Sequence, residues 1–439
     1  MRHLPLSALQ QRYWFLCTSY PGDASPILVL NWRIHGPLDV EAWRAAVDLV
    51  VDRHESLRTN FVLRDAEPVQ VVLPPAGIET DLVDMSALPP DEREARTADL
   101  VGARTHMLLD LAEDPLVSSS LVRLADDHHV WCFTMHHIIA DGASLRIVGR
   151  EVRAAYLSLV EGTHPADLPK LELQYGDFAV WESEQDQAAD LAYWHDRLAG
   201  TPQLDLPTDH PRPAEKAASS EEVIHHIGPE LATGVVELAR RSRCTPYMLL
   251  LAALTVLLRE RSGQDDFCVG TPVGGRVRAE FEPVVGLFAN TLALRTDLSG
   301  DPTFAELLTR TRSTVIGGLQ RQAVPLGRVL AALAVPRDPA RTQLFAVVFS
   351  MRNDNAAQHS TLGPLSIEGF PHGHAKVLHD IVFDIWRLDE AGLRTGIRYD
   401  TALFRPETVG AMVRRYEQIL AAAVARPDLR LSELAAADG

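Results

Sequence analysis

Two adjacent histidines, His136 and His137, are followed by Asp141 and Gly142, a set of residues suited to acid–base chemistry. An imidazole has an ordinary pKa of about 6.5, so it can accept a proton at neutral pH and return it. A carboxylate across a tight turn can fix the orientation of the ring or hold the loop through a cation elsewhere. The glycine indicates a point where the backbone needs unusual freedom or where a ligand comes close.

The flanking sequence predicts that these residues lie on a strand-to-helix turn. Residues 130–135 are β-branched, aromatic or sulfur-bearing, which is typical of a strand buried on both faces. Apolar side chains then recur at intervals of three and four over residues 144–159, which predicts one face of a helix. Residues 121–124 and 130–135, joined through residues 126–127, are expected to form the hairpin that delivers the histidines.

A histidine pair beside a strand is usually a hydrogen-bonded structural feature rather than a catalytic one. Two other histidine pairs in the chain are therefore compared with His136 and His137. His128 and His129 follow two aspartates and are interpreted as a solvated hairpin turn. His225 and His226 lie in an alternating, strand-like run with no Asp-Gly after it. The pattern HHxxxDG is complete at residues 136–142, which therefore form the candidate site.

This heptapeptide resembles the signature of the condensation domains of nonribosomal peptide synthetases, within the wider group of CoA-dependent acyltransferases that use HxxxD. HxxxD alone would be weak evidence. Further segments, however, resemble the family's motifs in the same order along nearly the whole chain. They lie at residues 6–16, 53–61, 175–181, 193–194 with 206–213, 263–276, 285–291 and 337–345. The chain is therefore identified as a member of this family.

Three positions depart from the family pattern. Ala143 stands where the family often has Trp, which predicts a wider channel wall. Residues 321–327 lack the acidic residues usual in that segment, and the expected Lys-Phe-Asp-Leu is replaced around residues 376–380. These changes leave the chemistry intact and the subtype open.

The resemblance implies an α/β fold with two chloramphenicol-acetyltransferase-like lobes arranged in a V, with an active-site tunnel between them. The first lobe, residues 1–176, would carry HHxxxDG. The second lobe, residues 177–439, would include the connection between the lobes, the floor loop and segments that cross onto the first lobe.

Size and sequence pattern agree with two lobes. A chain of 439 residues exceeds what one hydrophobic core usually supports. Helices are predicted at residues 40–54 and 246–261, and a strand of the second lobe begins at residues 267–270. Prolines between 202 and 213, followed by polar residues 215–222, predict a connecting loop.

Composition narrows the class of function. The net charge of -17 disfavours nucleic acid, whose binding needs a basic surface. The chain has neither a run of about 18 apolar residues nor a signal-peptide pattern, so a cytoplasmic protein that does not bind membranes is expected. Four widely spaced cysteines predict reduced thiols rather than a metal site or disulfides, and no resident metal or cofactor is expected. They are Cys17, Cys132, Cys244 and Cys268.

The family's substrates are thioesters on the phosphopantetheine arms of carrier proteins. The resemblance therefore implies donor and acceptor carrier domains as partners of a monomer, with neighbouring synthetase domains if the chain is excised rather than free-standing. Such docking depends on local patches of charge. Arg146, Arg150 and Arg153 could form one, and the alternative is a solvated helix face paired with Glu151.

The implied reaction is acyl transfer from a carrier-bound thioester to an amine. His137 would act on the attacking nitrogen, either as general base or by orienting it and stabilising its developing charge. The backbone N–H of Gly142 would donate to the thioester oxygen. Ala143 would line the tunnel beside the substrate.

Other residues are expected to support the site. His136 would pack and hydrogen-bond rather than react. Asp141 would point away from the substrate and pair with an arginine of the second lobe, for which Arg276 in the Gly-Gly-Arg segment is the candidate. Asn290 would line the tunnel floor or serve as a turn residue.

Three alternatives stay open. A hydroxyl could replace the amine as acceptor, giving an ester with the same residues. The chain could be an epimerase relative, which would need a further acid–base group that the sequence does not identify. It could also be a catalytically silent module that recruits carrier domains or a tailoring enzyme, although the intact motif argues against this.

Overall fold

The computed structural model describes residues 2–19, 27–163, 168–216, 219–352, 360–370 and 378–436. The chain forms two compact units. Unit 1 comprises Met1–Asp186, Gly274–Ala289 and Ala356–Gly373, and unit 2 comprises Gln187–Val273, Asn290–Asn355 and His374–Gly439. Each unit combines helices with a six-stranded sheet, and unit 1 also contains a separate three-stranded sheet, so the predicted α/β class is confirmed. The expected boundary at residue 176 falls inside unit 1, which also contains two later segments.

The elements are numbered in chain order. The strands are β1 Arg2–Pro5, β2 Ile27–His35, β3 Thr59–Arg64, β4 Glu67–Val72, β5 Thr80–Asp84, β6 Val117–Ala125, β7 His128–His136, β8 Ser220–Ile227, β9 Asp266–Val273, β10 Asn290–Asp297, β11 Val347–Met351, β12 Ser360–Leu362, β13 Leu365–Gly369, β14 Ile381–Asp389 and β15 Gly392–Asp400. The helices are α1 Ala8–Ser19, α2 Val40–Arg53, α3 Pro90–Arg104, α4 Gly142–Val160, α5 Tyr175–Ser183, α6 Ala188–Leu198, α7 Pro229–Arg241, α8 Pro246–Ser262, α9 Phe304–Leu319, α10 Leu326–Ala332, α11 Pro406–Ala425 and α12 Leu431–Ala436.

The strand that carries the histidines lies inside the large sheet of unit 1. The sheet order is β12-β13-β2-β7-β6-β5, and β7 is antiparallel to both of its neighbours. Every residue of β7 after His128 is buried, which confirms the prediction of a strand buried on both faces. Its last residue is His136, so the strand ends at the candidate site.

The interpretation of His128 and His129 as a solvated turn was wrong. The turn of the β6–β7 hairpin is made by residues 126–127, and β7 already begins at His128. The ring of His129 is therefore enclosed, with 2% of its surface exposed. The ring of His128 stacks on His35 of the neighbouring strand β2.

The helix after the histidines begins earlier than predicted, at Gly142. Its N-cap is Asp141, whose side chain accepts a hydrogen bond from the Ser144 amide, a preferred way of satisfying a free helical N–H. Gly142 does not have a positive φ, so the expectation of unusual backbone freedom was wrong at this position. One face of α4 is buried over Ile147, Val148, Val152, Ala155 and Tyr156.

Unit 2 is built on the sheet β10-β9-β11-β14-β15-β8. The helices predicted at residues 40–54 and 246–261 are confirmed as α2 and α8, and nearly every residue of α8 before its last turn is buried. The prediction that the connecting loop extends over residues 215–222 was wrong for its last three residues, which belong to β8. Strand β8 starts at Ser220 because it pairs antiparallel with β15 along its whole length.

Residues 274–289 form a compact segment of unit 1. Gly275 has φ +66, and a Cβ placed there would lie 1.8 Å from the backbone oxygen of Phe288. This segment packs Phe281 and Phe288 against Tyr175 and Phe178 in an aromatic cluster. The glycine therefore allows the two ends of the segment to meet.

No helix in the described part of the chain is long and apolar enough to cross a membrane.

We expect Gly275→Ala to destabilise the protein by more than roughly 2 kcal/mol, since the left-handed conformation disfavours a Cβ and the clash is with fixed backbone. Gly274→Ala is the matched control, because a Cβ at Gly274 has no neighbour within 4 Å. Calorimetric melting of both variants is the measurement. Equal melting temperatures would contradict the assigned role of Gly275.

Candidate functional site

The carboxylate of Asp141 is fully buried and surrounded by hydrogen-bond donors. Its Oδ1 lies 2.8 Å from both the amide nitrogen and Oγ of Ser144, and 3.2 Å from Nη2 of Arg276. Its Oδ2 accepts from Nη1 of Arg276 at 2.9 Å and from the amides of Phe288 and Ala289 at 3.1 Å each. A carboxylate offers about four lone-pair positions, so no acceptor capacity is left for a substrate.

Arg276 occupies the other side of this ion pair. Its side chain is 4% exposed, and its two terminal nitrogens bind the two carboxylate oxygens of Asp141. Nη2 also donates to the carbonyl of Val284 at 3.0 Å, and the guanidinium lies 4.4 Å from the ring centroid of Phe288. This geometry is the bidentate form that makes an arginine–carboxylate pair strong and directional.

Three residues that were not assigned roles from the sequence join this network. Ser144 Oγ accepts from the Gly286 amide at 3.0 Å. A Cβ on Gly286 would lie 1.9 Å from the ring of Tyr175, so the backbone passes directly against that ring. The hydroxyl of Tyr175 donates to the carbonyl of Leu287 at 2.7 Å. Residues 286–289 are thus fixed at several successive positions.

His136 is held as a neutral ring. It is fully buried, and its Nδ1 accepts from the amide of Ile138 at 3.0 Å, which assigns the proton to Nε2. Burial, followed by the nearby ring of His137, lowers the pKa of His136 to about 3. A ring fixed in this way packs and hydrogen-bonds but is poorly suited to exchanging protons with a substrate.

The structure brings Cys17 to His136, a contact that spans 119 residues of sequence. The Sγ of Cys17 lies 3.7 Å from the Nε2 of His136. Because that nitrogen carries the ring proton, it cannot take the proton of the thiol. Burial also raises the pKa of Cys17, so a thiolate nucleophile is disfavoured.

His137 has a different environment from its neighbour. Its ring is half-buried and stacks on the ring of Tyr13, with centroids 5.1 Å apart and planes 21° from parallel. Burial lowers the pKa of His137, an effect that backbone carbonyls of His137 and Ala140 and the charge of Asp141 oppose. Neither carbonyl forms a well-aligned bond with Nδ1, which is buried and unpaired among the described residues. His137 is therefore neutral at pH 7.

Gly142 and Ala143 lie beside the histidine on the first turn of α4. Gly142 is exposed, and a Cβ placed on it would have no neighbour within 4 Å. Its amide is one of the first in the helix, which have no intrahelical acceptor. Ala143 is half-buried. The helix start therefore offers open space and an amide that has no acceptor within the helix.

Asn290 is the first residue of β10 and belongs to unit 2. It is buried, and its Nδ2 donates to the carbonyls of Gln322 and Val324 at 2.9 and 2.7 Å. Its Oδ1 accepts from the amides of Thr291 and Leu326 at 2.8 and 3.1 Å. With all four positions occupied, its amide ties the start of β10 to a neighbouring turn and has no bond left for a ligand.

The basic residues of α4 are only partly available for docking. Arg146 and Arg150 are exposed, whereas Arg153 donates to the carbonyl of Thr361 at 3.3 Å. The alternative of a solvated helix face paired with Glu151 is confirmed for Arg150, which is exposed and whose Nη2 lies 3.9 Å from Oε1 of Glu151. Glu151 is 4% exposed and lies 2.8 Å from the ring of His54.

Comparison with known proteins identifies the class. The condensation-domain family model matches residues 1–438, so the chain belongs to the condensation-domain family. It is 37% identical over 438 residues to one of the linear gramicidin synthase proteins of Brevibacillus parabrevis, covering 98% of this chain and 8% of that protein. The chain therefore spans less than a tenth of the length of such relatives.

Two solved structures are similar over nearly the whole chain. The X-domain from teicoplanin biosynthesis, in complex with OxyB, is 28% identical with a TM-score of 0.86, covering 99% of this chain and 96% of that one. SgcC5 from Streptomyces globisporus, in complex with a naphthyl ethanediol and sucrose, is 29% identical with a TM-score of 0.76. That match covers 97% of this chain and 100% of SgcC5.

We expect Asp141→Ala and Arg276→Ala each to cost roughly 3 to 5 kcal/mol, because each leaves the opposite charge buried and uncompensated. The double variant should lose clearly less than the sum of the two single losses. Some loss will persist in it, since the amides of Ser144, Phe288 and Ala289 also lose their acceptor. Thermal unfolding of all four proteins measures the coupling. Additive losses would show that the two residues act independently.

The buried histidines predict a pH dependence of stability. His136 is neutral when folded but takes up a proton in the unfolded chain below about pH 6.5, so the unfolded state gains protons as the pH falls. The free energy of unfolding should therefore decrease from pH 6.5 to 5, with His136 contributing at most about 1.4 kcal/mol per pH unit. His136→Gln should flatten this slope, whereas His226→Gln, at an exposed position of β8, should not. The free energy of unfolding is measured with urea at each pH. If its slope against pH were the same for both variants, the assignment of this pH dependence to His136 would be refuted.

Proposed function

We propose that this chain condenses an acyl or aminoacyl thioester on a donor carrier protein with an amine acceptor. The product is an amide in the biosynthesis of a nonribosomal peptide or a hybrid natural product. The observation that carries the proposal is the complete HHxxxDG segment, with His137 neutral and half-buried beside a helix start that leaves space open. Membership of the condensation-domain family and the likeness to a linear gramicidin synthase protein support it.

His137 acts on the amine in this mechanism. In this proposal the buried Nδ1 of His137 carries the ring proton, and Nε2 keeps the lone pair that the reaction needs. A neutral ring of this kind can take a proton from the nitrogen as it attacks the thioester carbonyl, or orient the nitrogen by accepting its hydrogen bond. Both roles need the same ring position, which the loop to Asp141 maintains.

The thioester oxygen gains negative charge when the nitrogen attacks. In this proposal the amide of Gly142 donates to that oxygen, helped by its place at the positive end of α4. The attack itself forms the C–N bond, and collapse of the resulting intermediate breaks the C–S bond. The proton from the amine then goes to the thiolate of phosphopantetheine, which leaves as a thiol. Asp141, saturated by donors, takes no part in the proton transfer.

Carrier proteins are the proposed partners, and neither a metal nor a resident cofactor enters the reaction. The thioester reaches the site on the phosphopantetheine of a donor carrier, and the amine usually on that of an acceptor carrier. The exposed Arg146 and Arg150 on α4 supply two positive charges that a carrier surface of opposite sign could contact.

Two of the similar structures favour specific alternatives. The ethanediol in the SgcC5 structure presents hydroxyl groups, which supports a hydroxyl acceptor and an ester product as the second candidate. The X-domain from teicoplanin biosynthesis is in complex with OxyB, which supports a recruitment role as the third. The neutral, half-buried His137 favours catalysis over recruitment.

We expect His137→Ala to lower the rate of condensation by about 100- to 10,000-fold, the usual worth of a general acid–base group, with the fold intact. His226→Ala, at an exposed histidine of unit 2, should leave the rate unchanged. The assay presents a panel of carriers loaded with acyl-pantetheine groups, offers amine and hydroxyl acceptors in parallel, and follows products by mass spectrometry.

An ester product in place of an amide would select the second candidate. Unchanged turnover of His137→Ala, when the chemical step limits the rate, would refute the role of His137. The absence of any product from the wild-type chain, together with binding to a tailoring enzyme, would select recruitment.

A further inference from the structure

Residues 136–141, which connect β7 to α4, are called the histidine loop below. One face of α1 lies along this loop within unit 1. Gln10, Tyr13 and Cys17 are spaced by three and four residues, so they share this face. Each touches a successive residue of the loop. Cys17 lies against His136, Tyr13 stacks on His137, and Nε2 of Gln10 lies 3.3 Å from the carbonyl of Ile138. We refer to Gln10, Tyr13 and Cys17 as the α1 clamp.

The clamp is itself held in place. Gln10 is 1% exposed; its Oε1 accepts from the amide of Ser7 at 3.0 Å, and its Nε2 also lies 3.1 Å from Oε1 of Gln70. The amide of Ala8 donates to Oε2 of Glu182 at 2.8 Å. The start of α1 is therefore fixed to other parts of unit 1, so the clamp can transmit a defined position to the loop.

The two histidines depend on the clamp to different degrees. His136 is already fixed by its bond from the amide of Ile138. The buried Nδ1 of His137 has no partner among the described residues, so no well-aligned hydrogen bond at that nitrogen fixes the plane of its ring. The ring of Tyr13 covers one face of this imidazole at 5.1 Å, within the usual range for an aromatic pair.

We propose that Tyr13 is a positioning residue for His137: its ring, rather than its hydroxyl, holds the imidazole in the orientation that presents Nε2 to the acceptor. The effect on rate rests on the proposed function, whereas the effect on ring orientation does not. A misplacement of a reacting group by about 1 Å can cost on the order of 100-fold in rate, so a stacking contact of this kind can matter for catalysis.

The test compares three variants. Tyr13→Phe keeps the ring and removes the hydroxyl, and Tyr13→Leu keeps an apolar side chain and removes the ring. Phe15→Leu is the matched control. It also removes an aromatic ring from α1, two residues after Tyr13, but the side chain of Phe15 is 54% exposed. Each is labelled with ¹³C-histidine, and the ring protons of His137 are followed by NMR in the free protein.

An aromatic ring stacked on an imidazole shifts its ring protons upfield. We expect Tyr13→Leu to move the His137 resonances downfield, whereas Tyr13→Phe and Phe15→Leu leave them near their wild-type positions. In the condensation assay, Tyr13→Leu should lower kcat on the order of 10- to 100-fold with little change in KM, and Tyr13→Phe should restore most of the rate.

Unmoved His137 resonances in Tyr13→Leu would overturn the proposal, as would a Tyr13→Leu enzyme with wild-type kcat. An equal loss of kcat in Tyr13→Phe would also overturn it, because the hydroxyl would then be the active group. If the wild-type chain forms no product with any acceptor, the proposed function fails, and the NMR comparison alone decides whether Tyr13 stacks on His137.

Discussion

The buried carboxylate of Asp141 is the charge on which the arrangement of the site depends. A charge without solvent needs a partner and donors, and Asp141 finds them on two separate stretches of chain. It caps α4 through Ser144, and it binds Arg276 and two backbone amides of residues 288–289. The same group therefore fixes where the helix begins and where the segment 274–289 lies. The bonds of Asp141 therefore fix the C-terminal end of the turn that carries His137.

The other end of that turn is set by the strand and by α1. The His136 amide donates to the carbonyl of Leu116, and the amide of Ile139 donates to the carbonyl of His136. Nε2 of Gln10 donates to the carbonyl of Ile138. Two neighbouring imidazoles thus come to differ in character: the first is held by a bond at Nδ1, and the second is half-buried under Tyr13. Environment, rather than residue type, makes these two neighbouring histidines different.

Much of the site could be predicted from local sequence. A buried strand followed by an amphipathic helix locates residues 136–142 on a turn, because both periodicities are strong there. A carboxylate after apolar residues needs a cation, which pointed to Arg276 once the family motif was recognised. The fold class followed from the same motifs. The family resemblance also implied that later segments cross onto the first lobe, but not that residues 274–289 are one of them, since their return depends on long-range packing.

What could not be predicted depends on contacts between distant residues. Tyr13 and Cys17 meet the histidines across more than 100 residues, and a single sequence carries no signal of such pairs. The burial of His129 and the early start of β8 depend on which strands lie alongside, and pattern alone does not give that register. Of the two interpretations of Gly142, unusual backbone freedom was wrong, because its φ is not positive, and the open space around it leaves close approach of a ligand as the other.

The central claim is that the histidine loop is rigid before any substrate binds. Amide hydrogen exchange of the free protein tests this most directly. Three amides of this region are hydrogen-bonded: Ile138 donates to His136 Nδ1, Ile139 to the carbonyl of His136, and Ser144 to Asp141 Oδ1. The account predicts that these three amides exchange as slowly as those in the centre of β7. Exchange at the rate of an exposed loop would show that the loop is not held in the free protein and would contradict the account.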